Sequence, residues 1–119
     1  MTLKECYEAI GGDYADVTAR LPSEKFIQKF VLKFLDDGSY NLLIDSLEAG
    51  DGAEAFRAAH TIKGMCQNLG FSKLGESSSA LTEHLRSGQL GDYAALLEQV
   101  RQDYQLTRET ICEFKESLV

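Results

Sequence analysis

From Tyr93 to Leu118 the residues Tyr93, Leu97, Val100, Tyr104, Thr107, Ile111, Phe114 and Leu118 recur in alternating steps of four and three. On a helix that spacing keeps one seam facing a core for about 39 Å, at about 1.5 Å per residue. A seam so long must be covered by other helices. The rest of the chain can supply them. Pro22 is the only proline, and the stretches between glycines are rich in Ala, Leu, Glu and Lys, all good helix formers. The expected fold class is all-α.

Capping signals divide the chain into successive helices. Thr2 and Glu5 make a capping-box pattern whose short helix stops at Gly11-Gly12, and Asp13 caps a second short helix that Pro22 ends. Between Ser23 and about Asp36, Phe26, Ile27, Phe30, Val31 and Phe34 form an apolar face, expected to lie in the core. Lys25, Lys29 and Lys33 line another face, read as solvated. Asp37-Gly38-Ser39 is a break with a cap, followed by a helix carrying Leu42, Leu43, Ile44 and Leu47 and closed by Gly50. Asp51 and Glu54 form a second capping box, opening a helix that stops at Gly70. Ser72 is read as the cap of the next helix, which ends near Gly88, and Asp92 as the cap of the last. Short loops favour antiparallel neighbours. The expected architecture is an up-down-up-down four-helix bundle over about 39–118, capped by short N-terminal helices over about 1–36, with 1–119 as one domain.

Composition narrows the function. At 119 residues the chain holds one core, and its 44% hydrophobic and 26% charged content is that of a soluble globular protein. No apolar run reaches the roughly 18 residues of a membrane span, and Met1-Thr2-Leu3-Lys4-Glu5 lacks the apolar core of a secretory signal, so a cytoplasmic protein is expected. Cys6, Cys66 and Cys112 are odd in number, far apart and without metal-binding spacing, which reads as reduced, partly buried thiols. A net charge of −7 disfavours nucleic acid and anionic membranes as partners, leaving proteins. No glycine-rich phosphate loop is present to bind ATP.

On the helix opening at Asp51, residues advance by about 100° each, which places Ala55, Ala59, Ile62, Cys66 and Leu69 on the core stripe. His60 then lies about 160° from Ile62, facing solvent. Gly64 stands one turn further along that outer face, Arg57 one turn before, Gln67 two turns after and Lys63 at its edge. Glycine inside a helix costs roughly 1 kcal/mol relative to alanine, and here it removes a side chain beside His60. Imidazole is mostly neutral near pH 7 and has a lone pair free to attack phosphorus. Lys63 and Arg57 would offset the charge of a phosphoryl group placed there. Phosphoryl transfer relies on positioning and charge neutralisation, usually by a metal ion, and the chain shows no carboxylate and His cluster to hold one.

The segment Ala59-His60-Thr61-Ile62-Lys63-Gly64, continuing through Asn68-Leu69-Gly70, resembles the phosphohistidine motif of histidine-containing phosphotransfer (HPt) domains: His, two residues, Lys-Gly, then a hydrophobic residue and Gly at the helix end. Leu74, Leu81, Leu85 and Gly88 resemble the family's following helix. After Gly64 the run Met65-Cys66-Gln67 departs from the small residues often found there. The resemblance implies a four-helix bundle, His60 as phosphoacceptor, Lys63 as the neighbouring positive charge and Gly64 as clearance for the partner. It further implies a phosphorelay intermediate of two-component signal transduction. Receiver domains of response regulators or hybrid histidine kinases would be the partners and would hold the only Mg2+, so no resident cofactor and no turnover of its own are expected.

Two rivals stand beside that reading. One is a helical docking module for receiver domains that is never phosphorylated. The other is the phosphoacceptor domain of a larger histidine kinase, against which Met1 and the lack of linker composition at Val119 suggest a free-standing protein, expected as a monomer. Gln67, and Thr82 and Arg86 on the adjacent helix, are candidates for the docking surface. His84, beside Leu81 and Leu85, reads as a structural histidine.

Overall fold

Seven helices follow one another along residues 1–118, the residues that the computed structural model describes: α1 (Leu3–Ala9), α2 (Tyr14–Arg20), α3 (Glu24–Lys33), α4 (Ser39–Glu48), α5 (Gly52–Leu69), α6 (Ser72–Leu85) and α7 (Ala94–Glu116). A 3-10 turn over Phe34–Asp36 extends α3, and no strand occurs among the described residues. The expected domain end at Val119 lies outside them.

Most helix ends are set by the residues that chain chemistry favours there. Glu5 N–H donates to Thr2 Oγ1 at 3.1 Å while Thr2 N–H donates to Glu5 Oε1 at 2.8 Å, closing the capping box of α1. Asp51 accepts from Glu54 N–H at 3.1 Å to start α5, but the Glu54 carboxylate turns to Arg57, so that box is only half made. Gly70, at φ 70°, ends α5 in the left-handed conformation that glycine takes without strain. Two expected caps differ. Phe71, not Ser72, is the N-cap residue of α6, because its ring is locked in the core against Tyr7 and Phe34. Tyr93 takes that position in α7, and Asp92 reaches Ala94 N–H only at 3.4 Å. The break with a cap expected at Asp37-Gly38-Ser39 is found, with Gly38 preceding α4 and Asp37 accepting from Ser39 N–H at 2.8 Å.

The long helices pack in chain order, α4 on α5, α5 on α6 and α6 on α7, in a body of 42 × 26 × 20 Å. The centre is apolar: Ile62, Leu74, Leu81, Leu85, Ile111 and Phe114 are buried, each such side chain contributing roughly 1.5–3 kcal/mol by leaving water. In the α7 seam Val100, Thr107, Ile111 and Phe114 are buried and Tyr93, Leu97 and Tyr104 half-buried, but Leu118 is exposed. The Tyr104 ring stacks on Tyr40 of α4, 4.0 Å apart and 5° from parallel, and Arg108 donates to the Leu35 carbonyl at 2.8 Å. Leu42 and Phe26, expected on apolar faces, are exposed.

The N-terminal helices close one end of α5. A helix leaves its last four carbonyls without internal partners. Here Tyr7 Oη–H donates to the Leu69 carbonyl at 2.6 Å, Arg20 donates to those of Gln67 and Asn68 at 3.1 Å each, and Asp13 N–H donates to that of Gly70 at 2.8 Å. Residues 7–20 thus pin the far end of the helix that carries His60.

Candidate functional site

Helix α5 buries Ala55, Ala58, Ala59, Ile62, Cys66 and Leu69 and turns its opposite face outward. His60 is exposed on that face, as are Arg57 and Gln67, while Lys63 and Gly64 are half-buried beside it. The outward geometry expected of these five residues is therefore the geometry found. Gly64 has no conformational need to be glycine, since its φ is not positive. A Cβ added there would meet nothing within 4 Å, so internal packing does not require it either.

Two neighbours of His60 carry no mark in the sequence motif. The Phe56 ring, one turn before, lies nearly parallel to the imidazole, with centroids 5.8 Å apart and planes 11° apart. Its spacing of four from His60 is the signal that could have found it. From α6, the Arg86 guanidinium sits 5.3 Å from the centroid of Phe56 while donating in a fork to Glu83, at 2.6 and 3.0 Å. Arg86 holds the Glu83 carboxyl below the usual carboxylate range, and the charges of Lys63 and His60 act in the same direction. Glu83 thus belongs to the His60 surroundings, which no spacing within one helix reveals.

The remaining residues sort by geometry. Arg57 is paired with Glu54 and largely exposed, so its charge is already shared. Thr82, expected on the docking surface, is fully buried and donates to the Ser78 carbonyl at 2.6 Å. That expectation is corrected: α6 packs against both α5 and α7, and the flank that carries Ser78 and Thr82 is interior. His84 is structural, its Nε2–H donating to the Leu90 carbonyl at 2.8 Å. Lys25, Lys29 and Lys33 are exposed, the last two with ammonium groups 5.9 and 5.3 Å from the Phe30 ring.

Cys6 and Cys66 are buried and Cys112 is half-buried, all as free thiols. No group of three or more His, Cys, Asp or Glu residues is placed to hold a metal ion among the described residues. No helix among them is long and apolar enough to cross a membrane. Chemically, the site is an accessible nucleophilic nitrogen with a cation at its side and open space one turn away.

A family model described as Hpt domain matches residues 34–110, which include all of α4, α5 and α6 and most of α7. No curated protein and no solved structure matches the chain.

Proposed function

This chain belongs to the Hpt domain family, whose role is phosphotransfer in two-component signalling, and we propose on that footing that His60 is its phosphoacceptor. In this reading His60 takes a phosphoryl group from a receiver aspartate or a histidine kinase and passes it to another receiver. Lys63 offsets the phosphoryl charge and Gly64 leaves room for the incoming surface, with Arg57 in a lesser part because Glu54 already engages it. Gln67 and Arg86 belong to the docking rim. The imidazole attacks without a catalytic base from this chain, so the protein has no turnover of its own and the partner's Mg2+ does most of the catalysis. The helix order supports an antiparallel up-down-up-down arrangement of α4 to α7, and the reading includes a cytoplasmic, monomeric protein.

The observation that carries the proposal is the open space at Gly64. A helix that forgoes roughly 1 kcal/mol of propensity for no internal reason, one turn from an exposed histidine, is shaped for something outside the chain. Incubation with a phosphorylated receiver domain tests it. Label should move to the wild type, and His60→Gln should bind the receiver yet accept none. A wild type that binds active receivers but stays unlabelled would favour the docking-module alternative.

A further inference from the structure

Arg86 is the cation that α6 brings to the surroundings of His60, by way of Phe56, and in this structure it is already occupied. Its guanidinium lies over Phe56, which lies against His60, and both of its donor contacts go to Glu83. Both side chains of the pair are more than half exposed, so nothing in the core fixes them. A phosphoryl group on the imidazole would bring up to about two negative charges and three acceptor oxygens to this surface. Arg86 must then choose between a carboxylate and a stronger acceptor, and Glu83, on the same face of α6, is left with an unshared charge.

We propose that Glu83 and Arg86 form a charge-exchange pair that sets how long a phosphoryl group survives on His60: Arg86 moves from Glu83 to the phosphoryl oxygens, and Glu83, repelled by them, keeps the phosphorylated state from becoming too stable to give the group away. The inference rests on His60 as phosphoacceptor. Glu83 is a positioning residue in this scheme and Arg86 a contact to the transferred group. Loss of the group to water forms an oxygen–phosphorus bond as the nitrogen–phosphorus bond breaks. The bonding pair returns to the ring nitrogen, which takes one water proton, and inorganic phosphate leaves. Raising or lowering the energy of the starting phosphoimidazole changes the rate of that step.

Phosphoramidate tests the pair without any receiver. The imidazole lone pair bonds to phosphorus as the phosphorus–nitrogen bond of the reagent breaks and ammonia leaves, and the product is followed by 31P NMR. Glu83→Gln should lengthen the lifetime of the phosphoryl group about threefold and lower the pH at which its resonance titrates by about half a unit, the effect of one exposed charge several ångströms away. Arg86→Gln should shift both readouts the opposite way, while helicity stays at the wild-type level in each. A merely structural ion pair would move both variants together. Shifts of the same sign, no shift in either variant, or a His60 that phosphoramidate fails to label would overturn the proposal. Because no receiver is involved, failure of the pair and failure of transfer between proteins are separately visible.

Discussion

Gly64 stands one turn beyond His60 on the outer face of α5, and a Cβ placed on it would meet nothing within 4 Å beyond its chain neighbours and the adjoining backbone of its own helix. The two residues therefore conflict in what they ask of position 64: the helix favours alanine, and access to the imidazole favours glycine. Gly64→Ala should raise stability by roughly 0.5–1 kcal/mol in denaturant unfolding. It should also slow phosphoryl acceptance from a receiver, with Gly64→Gln slower still, on the order of tenfold or more. A variant that is both more stable and equally fast would show that access to His60 does not explain the glycine.

Position 52 shows the contrasting case of a glycine needed inside the fold. A Cβ on Gly52 would stand 1.8 Å from the Gly88 carbonyl oxygen, where the start of α5 meets the turn after α6. Backbone atoms cannot yield as a flexible side chain can. Gly52→Ala should destabilise the protein by about 2–4 kcal/mol in the same unfolding experiment.

The features read correctly from the sequence are those decided within one helix. The core stripe of α5, the exposure of His60, the Thr2 box and the Gly70 stop follow from periodicity and local hydrogen bonding, which neighbours in sequence fix. What escaped was decided between helices. Thr82 is interior because α6 packs against both α5 and α7, Phe71 takes the cap position from Ser72 because its ring is held by Tyr7 and Phe34, and Glu83 reaches the surroundings of His60 only through the docking of α6 on α5. Arg20 closing the end of α5 spans 47 and 48 residues of chain and carries no local signal.

Tyr7 ties the N-terminal helix to the end of α5 through its hydroxyl on the Leu69 carbonyl. Tyr7→Phe keeps the ring and leaves that buried carbonyl short of a donor, so a loss of about 1–2 kcal/mol is expected. Amide exchange should quicken most at the C-terminal end of α5, next to the lost bond. Uniform exchange changes along the chain would show that the bond does not act locally.

Burial pushes the Cys6 thiol up to about 11 and the Cys66 thiol up to about 12, from an ordinary 9.0. Below about 9 both are protonated folded or unfolded, and the fold keeps its full stability. Above that the unfolded chain loses these protons first, so stability should fall progressively as pH rises from about 9 towards 11 and 12. Replacing both by Ser or Ala should flatten the alkaline limb of a stability–pH curve. At neutral pH an alkylating reagent should label Cys112 first and Cys6 and Cys66 only at the rate of opening.

Whether His60 carries the phosphoryl group is decided by locating that group in the chain. Tryptic cleavage after Arg57 and Lys63 releases Ala58-Ala59-His60-Thr61-Ile62-Lys63, which holds one histidine and one hydroxyl residue. After exposure of the wild-type protein to a phosphorylated receiver domain, that peptide should carry a phosphate that is lost in acid and kept in alkali, with fragment ions placing it on His60. A peptide that stays unmodified while the receiver transfers its phosphate elsewhere, or an acid-stable phosphate on Thr61, would refute His60 as the carrier.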